Sequence, residues 1–166
     1  ELCMVVQEIA ASGAGMNVCS ADHIGLFGFM SMVHYGTQEM KEKYFPSVVT
    51  GELHVSFAVT EPDAVTDTLN MTTFARKVEG GFLLSGKKTW ITKAQEAERM
   101  FILARTQPLS EVSKRTDGLT MFFAPMDRKS IEIRPIKKMG RNAIDTNELF
   151  IDDLFVSDED VIGEVG

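Results

Sequence analysis

Hydrophobic residues recur every three or four positions over residues 1–50, which is the spacing of amphipathic helices. A first helix is predicted to end in the stretch SGAG, and a second to start at Ser20, because serine is a good N-cap residue. Gly36 should end the second helix, and Thr37 should cap a third one. This part of the chain is therefore predicted to be helical.

From Leu53 onward apolar and polar residues alternate instead, which is the two-residue period of β-strands. Turn signals at Gly80-Gly81, Pro108 and Asp117-Gly118 separate the alternating runs, which include LHVSFAVT, GFLLSGKKTWIT, ERMFILART and GLTMFFAPM. Short strands at even spacing, with no helical pattern between them, predict an antiparallel β-barrel or sandwich. The fold class is therefore α+β, with helical residues 1–51 followed by a β domain over residues 52–166.

Composition narrows the functional classes. The 44% hydrophobic and 25% charged residues are typical of a soluble globular protein. A net charge of −7, with no long basic run, argues against nucleic-acid binding. We expect no membrane span and no targeting signal, and three scattered histidines predict no metal site. The two cysteines, Cys3 and Cys19, are expected to be reduced thiols.

The only tryptophan lies in the segment KKTWIT, residues 87–92. Side chains alternate between the two faces of a regular strand, so Trp90 and Thr92 should share one face, and Thr89 and Ile91 the other. An aromatic plane beside a hydroxyl suits a flat polar ring such as a cofactor. Ordinary sheet packing is the alternative, since a single tryptophan is more often part of a core.

A second segment, FAVTEPDAVTD, begins as a strand that should end at Thr60 and continues as a loop rich in hydroxyl groups. Hydroxyls and free backbone amides in a loop can bind phosphate oxygens or the polar edge of a heterocycle. Taken alone, however, such threonines more often cap turns. The ligand-binding interpretation of this loop is favoured by the order of the segments, because the loop precedes KKTWIT by about thirty residues and is followed by FILART and by MGRNAIDTNELF.

With these segments in this order, the sequence resembles the acyl-CoA dehydrogenase family over almost its whole length. The family pattern contains Thr-Glu-Pro, Gly-x-Lys-x-Trp-Ile-Thr, a strand ending in Ala-Arg, Met-Gly and Asp-Thr. The matching positions are Phe57 to Pro62, Gly86 to Thr92, Ala104-Arg105, Met139-Gly140 and Asp145-Thr146. Any one match alone is weak, whereas five ordered matches are a strong signal. By this resemblance, residues 1–51 are the end of an N-terminal helical domain and residues 52–166 the middle β domain.

The sequence also departs from the family pattern. Val65 stands where the family has glycine, which adds a branched side chain where the loop lies close to its ligand. Thr66 replaces a serine and keeps the hydroxyl. After Thr92 the usual Asn-Gly pair is Lys93-Ala94, which removes a preferred turn sequence, and Asn142 takes the usual place of an arginine.

The resemblance implies FAD as the cofactor and oxidation of an acyl-CoA thioester to the trans-2-enoyl form. Trp90 and Ile91 would lie at the isoalloxazine ring, and Thr92 would bond near its N5 atom. Thr60 would bind the pyrimidine edge, lined by Phe57, Ala58 and Val59. Thr66 would contact the pyrophosphate or the substrate pantetheine. Arg115 and Lys114 are candidates for the CoA phosphates on their charge alone, although exposed basic residues are usually solvated.

The catalytic carboxylate of the family comes from its C-terminal helical domain, which these 166 residues do not include. No acid here is assigned that role, because Glu61 and Asp67 belong to a turn and most acids are expected to be solvated. We therefore expect half of a flavin site and no activity from this segment alone. The resemblance also implies that electron-transfer flavoprotein accepts the electrons. The full-length protein is expected to form a dimer or tetramer, in the cytoplasm of a bacterium or in the mitochondrial matrix of a eukaryote.

Three alternatives remain open. Acyl-CoA oxidases and nitroalkane oxidases share the fold and differ in electron acceptor or substrate. A binding module of the same fold without catalysis is favoured by Val65 and Lys93-Ala94. A small lipid-binding barrel unrelated to flavin is disfavoured, because the ordered motifs would then be a coincidence. The sequence does not give the length or branching of the acyl chain.

Overall fold

A computed structural model describes the backbone of residues 2–166, and the side chains of all these residues except Leu2, Ala14, Met16, Asn17 and residues 20–26. The elements, in chain order, are helices followed by strands, as the change of hydrophobic period indicates. The α+β fold class is therefore confirmed. Among the described residues, no helix combines the length and the hydrophobicity needed to cross a membrane.

Within the described backbone, the helical part contains three α-helices, α1 (Leu2–Ile9), α2 (Gly15–Tyr35) and α3 (Gln38–Val49). A π-helical turn, Ala10–Ala14, joins the first two, and Gly13 within it has a φ of 92°. Helix α2 thus begins at Gly15, and the predicted start at Ser20 is wrong; the Ser20 side chain lies outside the described residues. Glycine supplied the break, because it adopts the left-handed conformation that other residues resist.

The second helical boundary agrees with the sequence. The Gly36 amide donates to the carbonyl of Met32 at 2.9 Å, where α2 ends. The Thr37 hydroxyl then accepts a hydrogen bond from the Met40 amide at 3.2 Å, as an N-cap residue should. The cap satisfies one of the amides that the first turn of a helix leaves free.

The β part is one eight-stranded sheet. The strands are β1 (Val55–Ala58), β2 (Phe74–Val78), β3 (Gly81–Thr92), β4 (Arg99–Arg105), β5 (Leu119–Pro125), β6 (Ile131–Pro135), β7 (Thr146–Ser157) and β8 (Val161–Ile162). The neighbours run in the order β6-β7-β3-β2-β4-β5-β8, and β1 pairs with β4. The turn signal at Gly80-Gly81 makes the tight connection between β2 and β3, where Val78 pairs with Gly81.

Not every strand pair is antiparallel. Strand β1 runs parallel to β4, with Phe57 opposite Phe101 and Ala58 opposite Ile102, and β2 meets β4 in the same sense at Phe74 and Arg105. The other pairs are antiparallel. Tight turns fix the direction of consecutive strands only, whereas β1 and β4 are separated by the β2–β3 hairpin. This is why the turn signals in the sequence did not reveal the parallel pairs.

Two groups of buried side chains form the core. The sheet core lies within the β part and contains Leu84, Ile102, Phe122, Leu149 and Val156, among others. The interface core joins the helices to the sheet and contains Met32, Met40, Tyr44, Val55, Phe101, Phe123 and Ile162. Adjacent residues of a strand point to opposite faces, so Phe122 and Phe123 of β5 enter different cores.

A polar contact reinforces the interface core. The Arg99 guanidinium lies 2.6 Å from the Asp160 carboxylate and 4.8 Å from the ring centres of Tyr44 and Phe123. The Tyr44 hydroxyl donates to the same carboxylate at 3.2 Å. Charge, hydrogen bonding and ring contacts therefore fix α3 against β4 and β5.

Candidate functional site

The two motif segments lie side by side. The Thr89 amide on β3 donates to the carbonyl of Thr60 at 2.9 Å, just beyond the end of β1. The Lys88 ammonium also donates to the carbonyl of Val59 at 3.1 Å. The fold thus brings FAVTEP and KKTWIT, which are some thirty residues apart in sequence, into direct contact.

Trp90 lies on an interruption of β3. Lys88 pairs with Leu149 of β7 and Ile91 pairs with Asn147, so β3 has one residue more than its partner between these points. Trp90 adopts a φ of 61°, in the left-handed region, and its side chain is 58% exposed. Such a conformation is unfavourable for a bulky residue, and surrounding contacts must maintain it.

The exposure of the neighbouring residues follows from this bulge. Ile91 is fully buried in the sheet core, and Thr92 is half-buried. Lys88 and Thr89 are both buried. In a regular strand Lys88 would share a face with the exposed Trp90 and would be exposed as well. The bulge therefore exposes Trp90 while the residues on both sides of it remain held by the sheet.

Lys88 and Glu61 form a buried ion pair. Their side chains are 0% and 2% exposed, and the Lys88 nitrogen lies 2.9 Å from Oε1 of Glu61. The ammonium also donates to the carbonyls of Val59 and Leu103 at 3.1 and 2.8 Å, so its three protons have three acceptors. Glu61 lies in a turn, as expected, but it is not one of the solvated acids, because the β1–β2 loop turns its side chain inward onto Lys88.

The Glu61 carboxylate has further donors. It accepts hydrogen bonds from the amide and the hydroxyl of Thr72 at 2.7 and 3.0 Å, and from the Thr73 amide at 3.0 Å. Burial raises the pKa of Glu61, but the Lys88 charge and these hydrogen bonds outweigh it and lower the pKa from 4.5 to about 2. Burial lowers the pKa of Lys88, because it disfavours the charged ammonium, and this effect exceeds the opposing effect of the Glu61 charge.

The loop after Thr60 is compact. The Val65 amide donates to the Glu61 carbonyl at 3.0 Å, and the Asp67 amide to the Ala64 carbonyl at 2.7 Å. Asp67 also pairs with Arg115 at 2.6 Å, with both side chains about half exposed. Arg115, a predicted substrate residue, thus links this loop to the segment before β5, while the Thr66 side chain is exposed.

Arg105 holds the same two segments from inside. Its side chain is buried, and its guanidinium donates to the carbonyls of Leu69, Arg115 and Asp117 at 2.6, 2.9 and 3.1 Å. The Ala-Arg motif of the sequence therefore has a structural role: one buried cation closes two loops that lack a regular hydrogen-bond ladder of their own.

The remaining predicted residues are distributed around this centre. Ala58 is fully buried in the sheet core, and Phe57 packs against the interface core. Val59 and Thr60 are half-buried at the end of β1. In the part of the chain that the structure describes, the hydroxyls of Thr60 and Thr92 have no hydrogen-bond partner. An outward-facing aromatic ring, two free hydroxyls and the surrounding backbone therefore form the candidate site.

Two family models match the chain. The acyl-CoA dehydrogenase middle domain covers residues 56–154, and the acyl-CoA dehydrogenase N-terminal domain covers residues 1–52. The chain belongs to the acyl-CoA dehydrogenase family.

Individual proteins agree with this assignment. Mitochondrial isovaleryl-CoA dehydrogenase of Solanum tuberosum is 31% identical over 165 residues, which is 99% of this chain and 39% of that protein. A glutaryl-CoA dehydrogenase in complex with glutaryl-CoA superimposes with a TM-score of 0.86 at 30% identity, covering 98% of this chain and 40% of that one. The FAD complex of PigA gives 0.82 at 30% identity over 91% of this chain and 39% of that one. The chain thus spans about two fifths of the length of these relatives.

The loop after Thr92 shows how this chain compensates for a departure from the acyl-CoA dehydrogenase pattern. Lys93, at the position of the family's asparagine, has a φ of 64°. Its amide donates to the Asp145 carbonyl at 3.3 Å, and the Gln95 amide to the Asp145 carboxylate at 3.1 Å. The Asn147 side-chain amide also donates to the Ile91 carbonyl at 3.0 Å. Asp145 of the Asp-Thr motif and the nearby Asn147 therefore maintain a turn whose own sequence disfavours it.

Val65 is a second departure from the family pattern, and replacing it with glycine is expected to stabilise the chain. Its φ of 29° is a strained conformation for a β-branched residue, and its side chain is 53% exposed. Val65→Gly should raise the free energy of unfolding by about 1 kcal/mol, the relief of strain exceeding the entropy of the added glycine. Urea denaturation measures this change.

Val49→Gly is the matched control, since Val49 is also exposed but lies in helix α3. That substitution should lower the free energy of unfolding by about 0.5 kcal/mol, because glycine is a poorer helix former than valine. A loss of stability in both variants would show that Val65 is not strained.

Proposed function

We propose that this chain supplies one side of an FAD site in an enzyme that oxidises an acyl-CoA thioester to its trans-2-enoyl form. The observation that carries the proposal is the contact between FAVTEP and KKTWIT, which leaves Trp90 exposed on a left-handed residue. A large exposed aromatic ring that the fold holds in an unfavourable conformation suggests a surface for a ligand. Membership in the acyl-CoA dehydrogenase family and similarity to the FAD complex of PigA support FAD as that ligand.

The chain's own groups fit this cofactor. Trp90 offers a face for the isoalloxazine, and the Thr92 hydroxyl is free to donate near N5, where a donor stabilises negative charge on the ring. The free Thr60 hydroxyl and nearby backbone would bind the pyrimidine edge. Ala58 and Ile91 would act through their backbone, since their side chains belong to the sheet core. Bound FAD would supply the hydride acceptor.

The base that removes the α-proton is proposed to lie outside this segment. Glu61 is not the base that removes the α-proton, because its carboxylate is enclosed and bonded to Lys88, Thr72 and Thr73. We therefore propose that the base lies beyond this segment, and that the segment alone does not turn over acyl-CoA. Thr66 would contact the pantetheine, and Arg115 would contact the CoA phosphates. We also propose that the boundary between the N-terminal helical domain and the middle β domain lies between residues 51 and 52.

The complete enzyme is proposed to pass electrons to electron-transfer flavoprotein and to form a dimer or tetramer in the cytoplasm or the mitochondrial matrix. Relatives of this family that are named as mitochondrial support the second compartment for a eukaryotic source. An oxidase of the same fold is the alternative, and the rate of flavin reoxidation by oxygen in the complete protein distinguishes the two.

A titration with FAD tests the cofactor. Because Trp90 is the only tryptophan of the chain, bound FAD should quench its emission in a saturable way. Trp90→Leu should weaken FAD binding about tenfold through the lost stacking, and Thr92→Val about fivefold through the lost hydrogen bond, both measured from flavin absorbance.

Phe155→Leu is the control, since Phe155 is an aromatic residue of β7 with 49% exposure, located opposite Leu83 and away from the motif contact. Its FAD affinity should equal that of the unaltered chain. The proposal fails if the unaltered chain shows no saturable quenching, or if Phe155→Leu weakens FAD as much as Trp90→Leu. Dye reduction by acyl-CoA with the segment alone would overturn the assignment of the base to another segment.

A further inference from the structure

The Lys88–Glu61 pair has no role in the proposed oxidation, although it is the most enclosed charged group of the described residues. Removing two charges from water is costly, and a buried ion pair is often no more stable than an apolar pair of similar size. A stabilising role alone is therefore a weak explanation for it. Its position in the fold suggests a more specific one.

The pair joins the segments that carry the candidate site. Through Lys88 it contacts the carbonyl of Val59 at the end of β1 and that of Leu103 in β4. Through Glu61 it contacts the amides of Thr72 and Thr73 before β2. Two charged side chains thus fix four separate segments to one another at a single buried point.

The same pair lies at the start of the bulge. Lys88 is the last residue of β3 in register with β7 before the interruption, two positions before Trp90. Thr89, between them, donates to Thr60, the residue that precedes Glu61. The contact between the FAVTEP and KKTWIT segments is therefore fixed directly beside Lys88 on one segment and Glu61 on the other. A left-handed Trp90 requires such restraint, because relaxation to an extended conformation would otherwise relieve it.

We propose that Lys88 and Glu61 are positioning residues that hold Trp90 in its left-handed conformation and Thr60, with its free hydroxyl, beside it, so that both face the same ligand. The proposal deepens the proposed function and rests on it for the identity of the ligand as FAD. The positioning itself does not require FAD, and it can be measured on the chain without cofactor.

Arg105 provides a matched control. It is also a buried cation, 2% exposed, and it also has three acceptors, which are all backbone carbonyls, those of Leu69, Arg115 and Asp117. None of these carbonyls belongs to the FAVTEP or KKTWIT segment. Loss of either buried cation should destabilise the chain, whereas only Lys88 should affect Trp90.

The first measurement uses Lys88→Met, Glu61→Gln and Arg105→Met without cofactor. Lys88→Met should shift the emission maximum of Trp90 and change its acrylamide quenching constant about twofold, because the residue is released from its strained conformation. Arg105→Met should leave both unchanged in buffer without denaturant. Unaltered Trp90 emission in a folded Lys88→Met variant overturns the proposal, and so does an equal change in Arg105→Met.

Glu61→Gln serves if Lys88→Met does not fold. It keeps the shape of the side chain and removes only the charge, so Lys88 loses its ionic partner but keeps its two carbonyl acceptors. A change of Trp90 emission in the same direction as Lys88→Met, but smaller, supports the proposal. An unchanged emission together with lower stability shows a purely structural pair and overturns it.

The second measurement is the FAD titration with the same variants. Lys88→Met should weaken FAD about tenfold and Arg105→Met less than twofold. If the unaltered chain does not bind FAD while Lys88→Met still changes Trp90, the proposed cofactor fails and the positioning role stands. If FAD binds equally to the chain and to Lys88→Met, the positioning role fails and the cofactor assignment stands.

Discussion

Acid should destabilise this chain by about 3 kcal/mol through Glu61 alone. The pKa of this carboxyl falls from 4.5 to about 2 on folding, and each pKa unit corresponds to about 1.4 kcal/mol. A lowered pKa means that the folded state favours the charged form. This stabilisation is complete above pH 4.5 and is lost as the pH decreases toward 2. Urea denaturation at several pH values, followed by circular dichroism, measures the loss.

Glu61→Gln separates this effect from the titration of other acids. The amide resembles the protonated carboxyl, so the variant should be about 3 kcal/mol less stable than the unaltered chain at pH 7 and nearly equal to it at pH 2. Glu79→Gln, an exposed acid in the turn between β2 and β3, should give a difference near zero at both pH values. Parallel stability curves for the unaltered chain and Glu61→Gln would contradict the assignment.

The fold was largely predictable because hydrophobic period is a local property. The change from helical to alternating spacing near residue 52 marks where helices give way to strands, and Gly36, Thr37 and Gly80 mark boundaries that the structure confirms. The parallel pairing of β1 with β4 was not predictable in this way. An alternating pattern says which face of a strand is buried, but not which strand lies beside it.

The sequence proposes the residues of the candidate site, but it did not predict their geometry. The resemblance to a family selected Trp90, Thr92 and Thr60 from ordered motifs. Reasoning from regular alternation missed the bulge, because an extra residue in one strand has no sequence signal of its own here. The burial of Lys88 was missed too, since a lysine in a strand normally indicates a solvent-facing position.

Glu61 shows why such sites need three-dimensional information. Its position between Thr60 and Pro62 is typical of an exposed turn, and nothing local to it indicates burial. Its partners come from residues 11, 12 and 27 positions further along the chain. The pairing of an acid and a lysine in two family motifs, Thr-Glu-Pro and Gly-x-Lys, was the one signal that could have suggested the contact.

The second large effect is expected at the contact between helices and sheet. Phe123 is fully buried in the interface core, with ring centres 4.7 Å from Phe101 and 4.8 Å from Tyr44. Phe123→Ala should lower the free energy of unfolding by roughly 3–5 kcal/mol through lost burial and the remaining cavity. Helices α2 and α3 should then separate from the sheet first, because the sheet core lies on the other face of β5.

Phe122→Ala is the matched comparison, since Phe122 is adjacent, equally buried and part of the sheet core, 5.2 Å from Phe82. It should cost a similar free energy, but the helices should unfold together with the sheet that supports them. Far-UV circular dichroism reports the helices, and Trp90 emission reports the sheet. In Phe123→Ala the helical signal should therefore be lost at a lower urea concentration than the Trp90 signal, whereas in Phe122→Ala the two curves should coincide. Coincident curves in both variants would show that residues 1–51 and 52–166 unfold as one unit, and that the proposed division between them has no energetic basis.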